Sequence, residues 1–489
     1  MNFRTLFRKP SCNLPLVGLL ICCFVASYVL PRPLWALDLS EEKELGGKVL
    51  EKVKEQMPLI EDGEIVGYVE SLGNKIVKQL GTTLYDYQFF VIDQSDVNAF
   101  AVPGGYVFVY RGLIEALDSE GELASIIGHE LAHVQARHIQ RRMEQGKVLS
   151  IATLVGALAA AFLGMAGGGE ASRALVMGSM AGAKSMELKY SRENEEEADQ
   201  LGFRYLCDAG YDPIYTVRSM KALNENRFNS GSSSIPSYLS THPGASERIQ
   251  YLQVMIEDYH KKHPHTLKES ASQDAEFKLV RAALVSEYSD SKIAMARLQA
   301  EYRRGEDAAA YGLGRLYLRE GQTQEAIPYL QDAASRHPDS PLVLSTLGSA
   351  YFQLGRLGEA QKVLQSALLV DPSSTNARYR LALVLKDLGK QDEALQNLQQ
   401  IEKSAASFPE IDYHMGVLLG QMKQLGMAHY YLGRYYQNEH DWKTAVFHYR
   451  KARELLRGDP QKLAEIDREL RKVEKKNKKM LRDIFNKNF

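Results

Sequence analysis

The sequence predicts an α+β domain followed by an all-α solenoid of paired helices, and two observations carry that fold class. Up to about residue 262, strand-like runs rich in aromatic and β-branched residues lie among helical-periodic segments. From about residue 274 the pattern changes, and small and apolar residues recur every 34 positions. The 489 residues suffice for two or three domains. The expected division is 1–36 for an export segment, 37–262 for the first domain, 263–273 for a linker, 274–460 for the solenoid and 461–489 for a basic terminal helix. At 45% hydrophobic and 25% charged residues the balance is that of a globular protein and implies neither a disordered chain nor a polytopic membrane protein. A net charge of -1 and the lack of any nucleic-acid motif argue against a nucleic-acid partner.

Residues 1–36 have the pattern of an export signal. Arg4, Arg8 and Lys9 precede an apolar run from Leu14 to Leu30, and Trp35-Ala36 offers a small residue for cleavage. The run is long for a signal, so it is either removed or kept as an N-terminal anchor. Basic residues ahead of it place the rest of the chain outside the cytosol in both cases. Cys12, Cys22 and Cys23 fall in this segment. Only Cys207 remains beyond it, so no internal disulfide is expected and Cys207 is read as a core residue.

From about 38 to 117 short helices and strands alternate. Ile65 to Leu80 has helical periodicity, while Tyr87 to Ile92 and Ala101 to Tyr110 favour strands, with Pro103-Gly104-Gly105 as punctuation. Tyr106, Val107, Phe108, Val109 and Tyr110 form either an exposed edge to which an extended peptide adds as a further strand, or an ordinary strand of the sheet.

Ser119-Glu120-Gly121-Glu122 has the form of a capping box, and Leu123, Ile126, Ile127 and Leu131 follow at helical spacing. This helix, expected to run to about Gly146, carries His129-Glu130-Leu131-Ala132-His133. Positions i and i+4 share a helix face, so both imidazoles can reach one Zn²⁺, with Glu130 placed to hold the water it activates. That is the HExxH signature of metallopeptidases. His138 lies nine residues after His129, about 180° round the helix at 100° per residue, and is expected at the surface.

Val148 to Ala183 is almost free of charge and is broken by Gly167-Gly168-Gly169. Its glycines, Ser150 and Thr153 lower its hydrophobicity, so helices that touch a membrane surface or a client are expected over a true membrane span. A catalytic zinc takes three protein ligands and keeps one position open. The third is expected from Ser191-Arg192-Glu193-Asn194-Glu195-Glu196-Glu197-Ala198-Asp199. Glu195 and Asp199 are i, i+4, so Glu195 can ligate while Asp199 hydrogen-bonds the second nitrogen of a ligating histidine.

In the solenoid Gly314, Tyr317, Ala326, Leu330, Ala333 and Pro338 recur 34 residues later as Gly348, Tyr351, Ala360, Leu364, Ala367 and Pro372. Ala382, Leu385, Ala394 and Leu398 continue the register, and Gly321, Gly355 and Gly389 mark its turns. This is the tetratricopeptide pattern, whose stacked pairs form a concave surface for a protein partner. Residues 274–304 look like a degenerate leading pair, and 410–456 contain one or two more units. The last helix is basic, and it either meets anionic lipid or an acidic partner or simply caps the array.

The pair of motifs, HELAH and SRENEEEAD, resembles the gluzincin zinc peptidases that include HtpX, the CaaX prenyl protease and the mitochondrial Oma-type enzyme. With the repeats behind it, the chain resembles in particular the periplasmic BepA-like branch. Asn98 to Gly105 looks like that family's strand and turn ahead of the metal helix. Ser240-Thr241-His242-Pro243 resembles its loop that brings a histidine towards the metal. The resemblance implies one Zn²⁺ per chain held by His129, His133 and Glu195, Glu130 as general base, and Asp199 behind the ligands. It leaves His242 as a fourth ligand that keeps the enzyme latent, as a catalytic donor to the oxyanion, or as a plain loop histidine. The implied fold is a gluzincin-type metallopeptidase domain ahead of a tetratricopeptide solenoid. The implied function is a zinc-dependent endopeptidase of the periplasm acting in quality control of misassembled outer-membrane proteins. Its repeats would dock unfolded clients or the outer-membrane assembly machinery. The alternative is a chaperone or assembly scaffold whose zinc site is structural or latent. Glu130 favours the enzyme, since a structural site has no need of it.

Overall fold

The computed structural model describes residues 39–144, 190–229, 237–264, 271–402 and 410–487. The export segment expected at 1–36 and the apolar stretch Val148 to Ala183 lie outside the described residues. Among the described residues no helix is long and apolar enough to cross a membrane.

The first domain is built on a small mixed sheet. Strands β1 (Gln88–Ile92), β2 (Ala99–Val102) and β3 (Tyr106–Tyr110) are ordered β1-β3-β2. β3 runs parallel to β1 and antiparallel to β2, with Phe108 opposite Phe90 on one side and Phe100 on the other. Side chains alternate between two apolar layers. Phe100, Val102, Phe108 and Tyr110 pack against Leu45, Val49 and Val53 of helix α1 (Leu39–Gln56). Phe89, Val91, Val107 and Val109 join the main core with Ile65, Val69, Leu72 and Ile76 of α2 (Gly63–Val77). The sheet is covered on both faces, which is why its strands read as unbroken apolar runs. Tyr106–Tyr110 is therefore not an edge. The turn at 103–105 folds β2 back onto one side of β3, β1 occupies the other, and the outer strands among the described residues are β1 and β2.

Short helix α3 (Arg111–Ala116) leads into α4 (Glu120–Gln135), which carries the HExxH motif and is buried along nearly its whole length. Its capping differs slightly from the expected box. Ser119 accepts from the Glu122 amide, but Glu122 reaches back to the amide of Asp118. The helix also stops earlier than its periodicity suggests. Arg137 takes a left-handed conformation at φ 54°, and a separate helix α5 (His138–Glu144) begins after it. Buried Glu42 of α1 holds this bend, accepting from Arg137, Tyr85 and Gln140.

Helix α6 (Arg192–Asp208), capped by Ser191, crosses α4 with Gly202 against the backbone of Gly128 and His129. Helices α7 (Ile214–Asn229), α8 (Ser237–Thr241) and α9 (Ala245–Lys262) complete the domain. Cys207 is half-buried beside the apolar cluster between α6, α7 and α9, and burial pushes its thiol up to about 12.

Helix pairs then follow. These are α10 (Ala271–Tyr288) with α11 (Ser291–Arg303), α12 (Asp307–Arg319) with α13 (Thr323–Arg336), α14 (Pro341–Gln353) with α15 (Leu357–Val370), and α16 (Thr375–Asp387) with α17 (Gln391–Gln400). After them come α18 (Glu410–Gln421), α19 (Leu425–Asn438), α20 (Trp442–Leu455) and the long α21 (Pro460–Lys487). The repeat positions are the crossing points. A Cβ on Gly314 would meet Leu330 at 2.5 Å, and one on Gly348 would meet Leu364 at 2.6 Å. Gly416 faces Leu432 and Gly433 faces Tyr449 in the same relation.

The array is not a detached tail. α10 packs on α2, α3 and α4. The Glu120 amide, in the first turn of α4, donates to Asp274. Arg315 of α12 bonds Asp62 at 2.9 Å, and Asn376 of α16 donates to Glu64, so the start of α2 is held by two separate repeats.

Candidate metal centre

Three elements bring their polar side chains to one buried point. α4 supplies His129, Glu130 and His133 one turn apart, α6 supplies Glu195, and the segment after α8 supplies His242. The last is held by local bonds. The His242 amide donates to the Tyr238 carbonyl, the Tyr238 amide donates to Val97 just ahead of β2, and the Tyr238 ring stacks on His242 at 4.4 Å.

One ligand atom from each of His129, His133, Glu195 and His242 lies within 4.8 Å of the others, and all four residues are buried. Nε2 of His129 is 3.0 Å from Nε2 of His133, and these two atoms lie 3.4 and 3.5 Å from the Glu195 oxygens. Donors placed tetrahedrally at zinc's usual bond length sit roughly 3.3 Å apart, so the spacing fits a first-row divalent ion. His242 Nδ1 is 3.0 Å from Glu195, and its Nε2 is 3.5 Å from Glu130. Among the described residues both carboxylate oxygens of Glu130 are buried without a well-formed hydrogen bond, although His242 and Tyr238 face them. Burying such a group unpaired is costly, and a site that holds a reacting water is one place where it is kept. Burial also pushes its carboxyl above the ordinary value, against the pull of His242 and His129.

Asp199 stands behind His129, with 3.0 Å between Oδ1 and Nδ1. Burial alone would raise the Asp199 pKa, but the Arg248 guanidinium and His129 together outweigh it and hold the carboxyl well below its ordinary range. Arg248 grips both Asp199 oxygens at 2.6 and 2.8 Å and also bonds Glu195, while the Tyr251 hydroxyl donates to Asp199.

The residues singled out in the sequence thus meet here, except Tyr106–Tyr110, which lies in the middle of the sheet. His138 is a correction. It is fully buried, with Nδ1 2.8 Å from Nδ1 of His133, because the bend at Arg137 resets the rotation that helical spacing assumes. Arg248, Tyr238 and Tyr190, whose ring lies 3.9 Å from that of His133, have no signal in the sequence beyond ordinary helix and loop composition.

Residues 66–256 match Peptidase family M48, and residues 277–341, 317–375 and 376–406 match tetratricopeptide repeats. A beta-barrel assembly-enhancing protease of Escherichia coli (strain K12) is 33% identical over 44% of this chain and 43% of its own length. A Vibrio cholerae protein, provisionally given the same name, is 31% identical over 64% of this chain and 63% of its own. The mitochondrial metalloendopeptidase OMA1 of Arabidopsis thaliana is 31% identical over 34% of this chain and 31% of its own. The chain therefore spans less than two thirds of the length of the relatives it matches.

Proposed function

Because the chain joins a Peptidase family M48 domain to tetratricopeptide repeats, we propose that it is a zinc-dependent endopeptidase of the cell envelope. Its task would be quality control of misassembled outer-membrane proteins in the periplasm. The observation that carries the enzymatic reading is the buried four-residue cluster beside the buried carboxylate of Glu130. The names of the relatives support the substrate class, and the repeats support docking of unfolded clients or of the assembly machinery.

His129, His133 and Glu195 would hold one Zn²⁺. When bound, the ion supplies Lewis-acid chemistry, acidifying a water and polarising the scissile carbonyl. Glu130 takes the proton of the attacking water and delivers it to the leaving amine. Asp199 orients His129, Arg248 keeps Asp199 ionised in a dry surrounding, and the histidines of the cluster, His242 foremost, hold Glu195 ionised. His242, within reach of both Glu195 and Glu130, would occupy the fourth position in a resting state and leave it when substrate enters.

The test compares the protein with Glu130→Gln and His242→Ala for cleavage of an unfolded outer-membrane β-barrel protein, with bound zinc measured in each. Cleavage by the wild type or His242→Ala, with Glu130→Gln inert but zinc-loaded, is the expected result. Activity confined to His242→Ala makes that histidine a latch. Zinc in all three with no cleavage, and improved assembly of the client, would replace the enzyme by a scaffold.

A further inference from the structure

The bend at Arg137 turns His138 from an expected surface residue into a buried neighbour of the metal cluster. Its Nδ1 is 2.8 Å from Nδ1 of His133, and its Nε2 is 3.3 Å from Glu197 of α6. Glu197 in turn takes a 3.0 Å bond from Arg141, one turn further along α5. Two ring nitrogens at that distance share one proton, so one must donate and the other accept.

The directions follow from the cluster. With a metal ion held at the cluster, His133 presents the lone pair of Nε2 to it alongside His129 and Glu195, which leaves the proton on Nδ1. The Nδ1 of His138 must then accept, which puts the proton of a neutral His138 on Nε2, facing the Glu197 carboxylate. A single assignment satisfies every atom from Glu197 to the cluster. His129 has its carboxylate, Asp199, in direct contact. Among the described residues His133 has no carboxylate directly behind Nδ1 and reaches one across His138.

We propose that His138 is a positioning residue for the metal site, fixing the tautomer and ring angle of His133 through a relay that ends on Glu197. The inference rests on the metal-site reading above. It differs from a merely space-filling histidine in requiring an acceptor at the position of Nδ1. Groups behind a ligating histidine commonly change metal affinity about 10–100-fold when removed.

The experiment measures zinc affinity by competition with a chromophoric chelator, and the visible spectrum of the Co²⁺-loaded protein. Wild type, His138→Leu, His138→Asn and Glu197→Ala are compared. His138→Leu removes the acceptor and should weaken zinc binding about 10–100-fold with an altered cobalt spectrum. His138→Asn places a carbonyl oxygen near the old Nδ1 and should recover affinity to within about threefold of wild type. Glu197 is half-exposed, so Glu197→Ala should fold normally and bind zinc several-fold more weakly even if His138→Leu does not fold. Wild-type affinity and spectrum in His138→Leu would overturn the proposal. So would an Asn variant as weak as the Leu variant, which would reduce His138 to packing, or wild-type affinity in Glu197→Ala. A wild-type protein that takes up no zinc would instead sink the metal-site reading itself.

Discussion

Arg248 is the residue on which the charges around the metal centre balance. It is buried and bonded to two buried carboxylates, Asp199 and Glu195, 49 and 53 residues away in sequence. Removing one partner of a buried ion pair leaves the other uncompensated, at a cost of about 3–5 kcal/mol. Arg248→Ala should therefore lose about that much stability in urea denaturation of the metal-free protein, a far larger effect than loss of an exposed pair. Arg248→Lys should recover only part, because a point charge cannot grip both Asp199 oxygens as the planar fork does. None of this was legible in the sequence, where Arg248 is one arginine on an amphipathic helix. His129, Glu130 and His133 were legible because a single helix fixes their geometry whatever the rest of the chain does. Glu195 and Asp199 followed for the same reason. His138 was misplaced because a left-handed arginine ends that helix, and such conformations are rare enough outside glycine that no spacing rule anticipates them.

Among the elements, the crossing of α4 and α6 decides how far Glu195 stands from the two histidines. A Cβ at Gly202 would sit 3.1 Å from the His129 amide nitrogen and 3.2 Å from its Cα, and backbone cannot rotate aside. Gly202→Ala should push the helices apart, cost about 1–3 kcal/mol of stability, and weaken zinc binding although the residue is no ligand. A Cβ at Gly348 in α14 would instead meet a side chain, that of Leu364, at 2.6 Å. Gly348→Ala should lower the thermal midpoint by a comparable about 1–3 kcal/mol equivalent while leaving zinc affinity unchanged, since it lies within the repeats. The pair of variants separates the two crossings by their metal readout. The central repeats were readable as elements, because each packs on its sequence neighbours and the same contact recurs every 34 residues. Strand order was not. Two strand runs, 87–92 and 101–110, were recognised with a turn signal at 103–105, but the insertion of β3 between the other two strands depends on long-range pairing that leaves no local trace.

At the scale of the molecule, the acidic start of α2 sits against the repeat array. Glu64 lies beside Arg315 and accepts from Asn376, yet burial outweighs both and, with Asp62 nearby, pushes its carboxyl up to about 7. A folded value above the unfolded one, about 4.3, means that the folded chain holds the extra proton between those two pH values. This group's contribution therefore falls as pH rises from about 4.3 to about 7 and is least favourable above that window. Glu64→Gln should gain on the wild type by on the order of 1–3 kcal/mol between pH 5 and pH 8, measured as the difference in unfolding free energy. A difference that does not change with pH would show that Glu64 titrates normally. The same docking gives covalent continuity between the two halves a smaller role than the chain order suggests. α10 opens the array but rests on α2, α3 and α4, and a single apolar cluster runs from Ile60 to Val473. Two fragments made by severing the chain between Lys262 and Ala271 should therefore reassemble on mixing into a stable heterodimer. Neither half alone should be a well-behaved monomer, because each would bare the apolar face that the other now covers.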